Sequence, residues 1–462
     1  MAEPECQGCR ELGRRVAELE ALVRELQARL GMNASNSSVP PSANPPQAPK
    51  PVVKTPTGRK PGGQPGHPGH LRLRLPPERL KETIHFVPKA CAHCQATLPA
   101  KPSASDPEPT WHQVAEVPPT LAEVTEYQAH GRTCAGCGTV TWAKVPDDIR
   151  ARAHGPRLAA TVAYLSGSPH VSKRGIEEII ETLIGIPISL GTVANLEQEM
   201  SCALAPAHAE AQQAIQDAPV KHVDETGWKQ AGQRCWLWAA ATTVVSCFVI
   251  HPSRGALGLA ALLGHKIHGI VCSDRWSVYG RLQVGRRQLC WAHLKRDFQK
   301  LVERGGPAKG IGDLGLAVVG VVFDLWHSFR GGGLSRRQLR AHMADCRVAL
   351  HEQLQQGCAC TDTKAAAFCE NILAVESALW TFVDHEGVEP TNNHIERMLR
   401  SGVLWRKNAF GCHSEAGCRF VERILTVVQT LRLQKRPVLE FLHQTLLAHR
   451  HGNPSPKLLL PA

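Results

Sequence analysis

The sequence lacks any long apolar run, and this absence limits where the protein can act. No stretch of the 462 residues approaches the roughly 18 consecutive apolar residues that suggest a membrane-spanning helix. The first residues, MAEPECQGCRELGRR, are acidic and polar, whereas a signal peptide begins with basic and then apolar residues. We therefore expect a soluble, cytoplasmic protein that has no membrane partner.

Acidic residues are scarce in two parts of the chain. Over the whole sequence, 53 Lys and Arg oppose 41 Asp and Glu, which gives a formal net charge of +12. Residues 50–81 contain eight basic residues and one acidic residue, and residues 397–436 contain nine and two. Clustered positive charge favours a polyanion as partner, and two separate stretches predict two contacts with a nucleic-acid backbone. The alternative is a basic surface that only keeps the protein soluble.

Cysteine, by contrast, is frequent, with 17 in the chain. Because cytoplasmic cysteines stay mostly reduced, the informative question is which of them have the spacing of metal ligands. Cys91 with Cys94 and Cys134 with Cys137 form Cys-x-x-Cys pairs beside β-like runs, TIHFVP and TVTWAKV. Each pair places two sulfurs on a tight turn, and a tetrahedral Zn²⁺ takes four. We predict a zinc-ribbon-like module with a structural Zn²⁺ over residues 81–148; the alternative is four unrelated cysteines.

Two segments precede this module. Apolar residues recur near the N-terminus at alternating steps of four and three, at Leu12, Val16, Leu19, Val23, Leu26 and Leu30. This spacing predicts a coiled coil over residues 1–33 that favours a parallel dimer, or else one amphipathic helix packed on its own chain. Residues 34–80 are rich in Pro and Gly and predict a basic linker. Cys6 and Cys9 have no second pair nearby, so their role stays open.

A helical region is expected over residues 149–215. RGIEEIIETLIG and SLGTVANLEQEM both have helical apolar spacing, with Ser189 as the N-cap of the second helix. Two helices joined by a short glycine-containing turn are typical of a helix-turn-helix. The second helix contains Glu197 and Glu199 but no Lys or Arg, which argues against simple base reading by it. DNA recognition and a purely structural helix pair both stay open.

From residue 219 the pattern changes to three strand-like segments, a helix, a strand, a helix, a strand and a helix. This is the order of a ribonuclease-H-like domain, and its first part covers residues 216–302. Residues 303–388 are mostly helical and predict an insertion before the core resumes over residues 389–436. Residues 437–462 are expected to form a C-terminal tail. The expected fold class is a multidomain α/β protein whose mixed-sheet catalytic core carries a helical insertion.

Three acidic residues are candidates for a metal-dependent active site. Asp224 is expected to end the first strand, Asp274 to end the fourth, and Glu396 to lie on a helix after the insertion. Since the first and fourth strands of this fold lie side by side, the aspartates can meet and the helix can supply a third carboxylate. Three such acids can hold two Mg²⁺ ions for phosphoryl displacement, whereas without metal they repel one another. Taken singly, each acid has a simpler alternative, such as an ion pair of Asp274 with Arg275 or of Glu396 with Arg400.

Neighbouring residues supply further candidates. Glu225 follows Asp224 and points to the opposite face if the strand continues, so it is the weaker ligand. In CWAHLKRDF, Cys290 and His293 follow a short strand, and His293 is a candidate to orient a phosphate or a water near the metals. The alternative for His293 is a histidine at the start of a helix that bonds to the backbone.

Several motifs of the chain occur together in a known order. They are NASNSSVPPS after the heptads, the two Cys-x-x-Cys pairs, VDETGW, CSDRWSVYG, CWAHLKRDF and NNHIERMLRSGVLWRKNAFG. In these motifs, over nearly its whole length, the chain resembles bacterial transposases of the insertion-sequence sixty-six family, within the wider DDE group. The resemblance implies that Asp224, Asp274 and Glu396 form the metal-binding triad. It also implies that Cys290 and His293 form the Cys-x-x-His signature that follows the second aspartate.

The resemblance further implies an activity and its partners. It predicts cleavage at the 3′ ends of a mobile element and transfer of those ends to target DNA, with two Mg²⁺ or Mn²⁺ ions per active site. Basic residues near Glu396 are then expected to bind the DNA strand: Arg397, Arg400, Arg406 and Lys407. We also expect a homodimer or higher oligomer, accessory proteins encoded by the same element, and association with the bacterial nucleoid. The alternatives are a non-catalytic zinc-finger DNA-binding regulator and a structure-specific metal-dependent nuclease.

Overall fold

The structure, a computed structural model, describes residues 11, 14–19, 37–38, 74–101, 103, 106–117 and 121–460. The chain divides into two compact units, one of residues 49–121 and a larger one of residues 1–48 and 122–462. Within the described ranges, no helix combines the length and the apolar character that crossing a membrane requires.

Most of the predicted coiled coil and linker lies outside the described residues. Residues 14–19 are helical, and within them Val16 and Leu19 are exposed. The other four heptad positions lie outside the described residues, as do Cys6 and Cys9. The coiled coil therefore stays a prediction.

In the unit of residues 49–121, the described part has little regular structure. One 3₁₀ turn, Pro77–Arg79, precedes an isolated β-bridge between Ala90 and Thr97. The run TIHFVP forms no strand, and its Ile84 and Phe86 are 67% and 92% exposed. A strand needs a partner for its backbone hydrogen bonds, and no described strand pairs with this run. The prediction of a β-strand here is wrong.

The larger unit begins its regular structure with a hairpin. β1 (Gly131–Thr133) and β2 (Val140–Trp142) pair antiparallel on either side of the turn that contains Cys134 and Cys137. The strand predicted in TVTWAKV is confirmed as β2. One helical turn, α1 (Asp147–Arg150), follows the hairpin.

Four helices form the next layer: α2 (Pro156–Gly167), α3 (Lys173–Ile179), α4 (Leu190–Ala203) and α5 (Ala205–Asp217). A π-helical turn, Ile180–Ile184, extends α3, and Gly185 ends it in the left-handed conformation with φ 76°. Ser189 caps α4 by accepting a hydrogen bond from the Thr192 N–H, which confirms the predicted helix start.

The two glutamates of α4 are used inside the protein. Glu197 is buried, forms an ion pair with Lys173 and accepts a hydrogen bond from the Ser166 hydroxyl at 2.7 Å. Glu199 accepts two hydrogen bonds from the Arg450 guanidinium, at 2.9 and 2.8 Å. Both acids are thus paired with basic residues of the chain, and DNA recognition and a purely structural role of this helix pair both stay open.

A five-stranded mixed sheet forms the centre of the larger unit. Its strands are β3 (Val220–Gln230), β4 (Gln233–Ala241), β5 (Ser246–His251), β6 (Ile270–Ser273) and β7 (Arg287–Leu289). Their spatial order is β5-β4-β3-β6-β7. β4 pairs antiparallel with β3 and β5, whereas β6 pairs parallel with β3 and β7. The first and fourth strands of the sheet therefore lie side by side, as expected from the sequence.

Short helices connect the strands. α6 (Ala256–Leu263) provides the crossover from β5 to β6, which a parallel connection requires. Two 3₁₀ turns, Ser277–Arg281 and Val284–Arg286, lie between β6 and β7. The helix predicted at WSVYGRL is thus a 3₁₀ turn.

The helices that follow the sheet fall into two groups. The first comprises α7 (Trp291–Arg304), α8 (Gly306–Arg330), α9 (Arg336–Cys358), α10 (Thr363–Leu373), a 3₁₀ turn (Glu376–Leu379) and α11 (Thr381–Asp384). Its members surround their own hydrophobic cluster. The second comprises α12 (Asn393–Ala409), α13 (Glu415–Leu433) and α14 (Val438–Arg450). α12 and α13 pack on the antiparallel half of the sheet.

The segment expected to be a C-terminal tail contains α14. Phe441, Leu442 and Leu446 recur at helical spacing and are buried. Leu458, beyond the helix, is buried in the same cluster. This segment therefore packs onto the core instead of extending from it.

Candidate active site

Asp224 lies in the interior of β3, not at its end. β3 continues to Gln230 because its antiparallel pairing with β4 runs that far. The parallel pairing with β6, however, ends at His222 opposite Cys272. Asp224 therefore lies two residues beyond the last residue of β3 that pairs with β6. The prediction that Asp224 ends the strand is wrong, but the aspartate does lie where the pairing between β3 and β6 ends.

Asp274 occupies the matching place on the neighbouring strand. It directly follows β6, and its Oδ1 accepts a hydrogen bond from the Trp276 N–H at 2.8 Å. Asp224 Oδ1 accepts a similar bond from the Glu225 N–H at 2.9 Å. The structure thus brings both aspartates to one edge of two adjacent parallel strands.

The acids of this edge interact electrostatically. Burial raises the pKa of Asp224 well above its usual range, and the nearby charges of Glu225, Asp274 and Glu396 raise it further. Each charge disfavours ionisation of the others. Among the described residues, however, the three acids do not form a group whose ligand atoms all lie within 4.8 Å of one another; Glu396 forms such a group with Cys290 and His293.

Glu396 lies in the first turn of α12, and its carboxylate oxygen Oε1 is buried. Its Oε1 is 3.6 Å from Nδ1 of His293. Both atoms are buried, and neither has a hydrogen-bond partner among the described residues. Arg400, by contrast, is exposed. The structure therefore places Glu396 beside His293 and not in the ion pair with Arg400 that the sequence allowed.

Asn392, which sequence reasoning missed, connects the elements that carry these groups. Its side-chain N–H donates to the Val223 carbonyl at 2.8 Å, and its side-chain oxygen lies 3.0 Å from Nδ1 of His222 on β3. Its backbone N–H donates to Cys290 Sγ at 3.1 Å. One residue, 1% exposed, thereby joins β3, the start of α7 and the start of α12.

Cys290 and His293 lie at the N-terminus of α7 and face Glu396. Cys290 is buried, which raises the pKa of its thiol to about 11. Burial, with nearby Arg296, lowers the pKa of His293 even though Glu396 and Asp274 raise it. Because the ring Nδ1 of His293 has no described partner, this histidine is not one that bonds to the backbone through that atom.

Glu225 takes part in a different network. It is buried, accepts a hydrogen bond from the Tyr279 hydroxyl at 2.7 Å and another from Arg254 Nε at 2.9 Å. Arg254 also lies over the rings of Trp236 and Trp276, at 4.6 and 3.9 Å from their centroids. Glu225 is therefore committed to internal partners, in agreement with its weaker standing as a metal ligand.

The predicted DNA-binding residues divide into two kinds. Arg397, Arg400 and Lys407 are exposed along α12. Arg406 instead is half-buried and donates a hydrogen bond to the Gly227 carbonyl on β3. The guanidinium of Arg406 therefore fixes α12 to the sheet, and the other three residues form the exposed basic face of this helix.

The two Cys-x-x-Cys pairs have the same backbone geometry, although they belong to different units. The N–H of Gln95 donates to the Cys91 carbonyl, and the N–H of Gly138 donates to the Cys134 carbonyl, both at 2.9 Å. Both donors are left-handed, with φ 62° and 72°. In the first turn, backbone N–H groups, with that of Cys94 contributing most, lower the pKa of the Cys91 thiol. The first turn thus suits a thiolate, and a Zn²⁺ shared by all four sulfurs stays a prediction.

Comparison with known proteins gives two family matches. The IS66 family of transposases matches residues 152–419, which is more than half of the chain. A family of unknown function, DUF6444, matches residues 4–73. The chain belongs to the IS66 transposase family. The IS66 match includes the three acids, Cys290 and His293, whereas both Cys-x-x-Cys pairs lie between the two matches.

One curated relative of this IS66 family member is an uncharacterised protein, y4qI, of Sinorhizobium fredii (strain NBRC 101917 / NGR234). It is 26% identical over 251 residues, which are 49% of this chain and 46% of the relative. The chain thus spans about half the length of the relative it matches.

Proposed function

We propose that the protein is a DDE transposase that cleaves DNA at the ends of a mobile element and transfers the 3′-hydroxyl ends to target DNA. The observation that carries this proposal is the arrangement of acids in an IS66 family member. Asp224 and Asp274 lie at one edge of adjacent parallel strands, and the charges of Asp274 and Glu396 both raise the pKa of Asp224. The strand order and directions support a ribonuclease-H-like core for this chemistry.

The donor set fits the metal ions that such a reaction needs. Three carboxylates offer the oxygen ligands that Mg²⁺ and Mn²⁺ prefer, and a buried oxygen of Glu396 has no described hydrogen-bond donor. Two such ions held by Asp224, Asp274 and Glu396 would supply activation of the attacking oxygen and stabilisation of the departing one.

The remaining residues position these groups and the DNA. Asn392 and Arg406 fix α12, and with it Glu396, against β3. Arg397, Arg400 and Lys407 present positive charge to the phosphate backbone on the exposed face of the same helix. A structural Zn²⁺ at the Cys-x-x-Cys pairs and dimerisation through the N-terminal heptads complete the proposal, with accessory proteins of the same element as further partners.

The test uses near-isosteric substitutions of the acids. Asp224→Asn, Asp274→Asn and Glu396→Gln are each expected to abolish Mg²⁺-dependent cleavage and strand transfer on element-end DNA while DNA binding stays within a few-fold. Glu386→Gln, which changes an exposed acid near α12, serves as the matched control and is expected to keep full activity. Full activity in any of the three variants would contradict the assignment.

A second assay separates the two alternative functions. Element ends that already carry a free 3′-hydroxyl are incubated with the protein, Mg²⁺ and a target plasmid. Joined products support a transposase, cleavage without joining supports a structure-specific nuclease, and DNA binding without either reaction supports a regulator.

A further inference from the structure

A second set of potential metal ligands shares Glu396 with the acidic edge. A sulfur of Cys290, a ring nitrogen of His293 and a carboxylate oxygen of Glu396 all lie within 4.8 Å of one another. Cys290 precedes α7 and His293 lies in its first turn, while Glu396 lies in the first turn of α12, so two packed helix starts create the cluster. Its chemistry differs from that of the three acids because it includes one sulfur, one nitrogen and one oxygen.

The spacing of the cluster suits a tetrahedral metal better than a hydrogen bond. His293 Nδ1 and Glu396 Oε1 are 3.6 Å apart, which is too long for a good hydrogen bond. Two ligand atoms that are each about 2.0–2.1 Å from a tetrahedral Zn²⁺ are separated by about 3.3 Å. A shift of a few tenths of an ångström therefore brings this pair to ligand spacing.

The surroundings of the cluster also fit a metal. The His293 nitrogen and the Glu396 oxygen are buried without another described partner, although a buried polar atom normally has one. Cys290 Sγ accepts a hydrogen bond from the Asn392 N–H at 3.1 Å. Backbone donors of this kind orient and stabilise a metal-bound thiolate.

We propose that Cys290, His293 and Glu396 bind a divalent transition metal of the Zn²⁺ class. Thiolate and imidazole ligands favour such an ion over Mg²⁺, and three protein ligands leave a fourth position open to water or a phosphate oxygen. Metal binding by these three residues does not require that the protein catalyse strand transfer. On the proposal that it does, however, Zn²⁺ at this site competes with Mg²⁺ for Glu396 and inhibits transfer.

The test is a Co²⁺ titration of reduced, metal-free, full-length protein, followed by visible absorption and by metal content per chain. Thiolate-bound tetrahedral Co²⁺ absorbs strongly, so each site adds to the spectrum. Any Co²⁺ held by the Cys-x-x-Cys pairs is expected in the wild type and in every variant. In addition to it, the wild type is expected to bind one Co²⁺ per chain that Cys290→Ser, His293→Ala and Glu396→Gln do not bind. Cys272→Ser, which removes a neighbouring buried thiol outside the cluster, is expected to match the wild type.

Equal Co²⁺ content and equal spectra in wild type and His293→Ala would overturn the proposal. His293 is partly exposed, so this variant decides the result even if Cys290→Ser fails to fold. The outcome is also separable from strand transfer, because Asp274→Asn is expected to lose activity but to keep the extra Co²⁺. Loss of the extra Co²⁺ in Asp274→Asn would place the ion at the acidic edge and contradict the site.

Discussion

Apolar residues are buried at the centre of the sheet but exposed in the described part of residues 49–121. At the sheet, apolar residues such as Val223 and Leu237 are fully buried, and polar groups are joined across more than 100 residues of sequence by Asn392. In the described part of the smaller unit, Phe86 and Val114 are 92% and 83% exposed, and regular structure is limited to one turn and one bridge. The difference teaches that packing and buried hydrogen bonds together order the candidate active site, whereas the described part of the smaller unit buries little, so we predict that a metal at its Cys-x-x-Cys turn contributes to its order.

The largest effect is expected from breaking the hydrogen bonds of Asn392. Asn392→Ala leaves the Val223 carbonyl and the His222 ring without their buried partner, at a cost of about 2–3 kcal/mol in the free energy of unfolding. Because α12 then loses its fixed position, strand transfer should fall far more than the folded fraction does. Urea unfolding and a transfer assay on the same samples measure both quantities.

Asn393 provides the control for this variant. It is the next residue, lies in the first turn of α12 and is exposed, so Asn393→Ala should change neither stability nor activity by much. Equal behaviour of Asn392→Ala and Asn393→Ala would show that the buried amide does not hold the site together.

An intermediate effect is expected from removing metal ligands at the turn of the smaller unit. Cys91→Ser should lower the zinc content by one equivalent per chain and speed amide hydrogen exchange in residues 89–98, because the turn loses the ion that orders it. The sheet should keep its slow exchange. Cys202→Ser, at an exposed cysteine of α4, is the matched control. Unchanged zinc content in Cys91→Ser would contradict a zinc role for this turn.

The elements that could be predicted from the sequence are those that depend on a local pattern of residues. Alternating and helical apolar spacing indicates β2, the five strands of the sheet and the start of α4 at Ser189, because these depend on neighbours along the chain. The same reasoning is wrong for TIHFVP, because a strand also needs a partner. It also ends β3 too early, since the length of that strand is set by its pairing with β4.

The contacts that position the site have no such pattern. Asn392 meets Val223 and Cys290, and Glu225 meets Arg254 and Tyr279, through single polar residues far apart in sequence. An isolated asparagine or glutamate carries no periodic signal, so only the folded chain shows which partner it finds. The motif NNHIERMLR did contain the relevant residue, but nothing in its spacing distinguished the first asparagine from the second.

The smallest expected effect concerns the pH dependence of stability at the acidic edge without metal. The pKa of Asp224 is raised in the folded protein, first by burial and then by its acidic neighbours, so the folded state holds a proton that the unfolded state has lost. The stability that this group contributes to the folded state is fully present below its unfolded-state pKa of about 3.9. It is lost as the pH rises through the folded-state pKa. With chelator present, Asp224→Asn should therefore unfold at a higher temperature than the wild type at pH 7.5, and the difference should shrink toward pH 4.

A carboxylate with the opposite shift supplies the internal comparison. Burial raises the pKa of Asp297, but Arg275 and Lys300 lower it more strongly, so the net shift is downward. Its stabilising contribution is present above the unfolded pKa and is lost as the pH falls through the folded value. Asp297→Asn should therefore lower the unfolding temperature at neutral pH, where Asp224→Asn raises it.

Adding Mg²⁺ should stabilise the wild type and have little effect on Asp224→Asn, because only the ionised carboxylate binds the cation. A lower unfolding temperature of Asp224→Asn than of the wild type at pH 7.5 would contradict the unfavourable ionisation inferred at the sheet edge, and a higher one for Asp297→Asn would contradict its stabilising ion pairs.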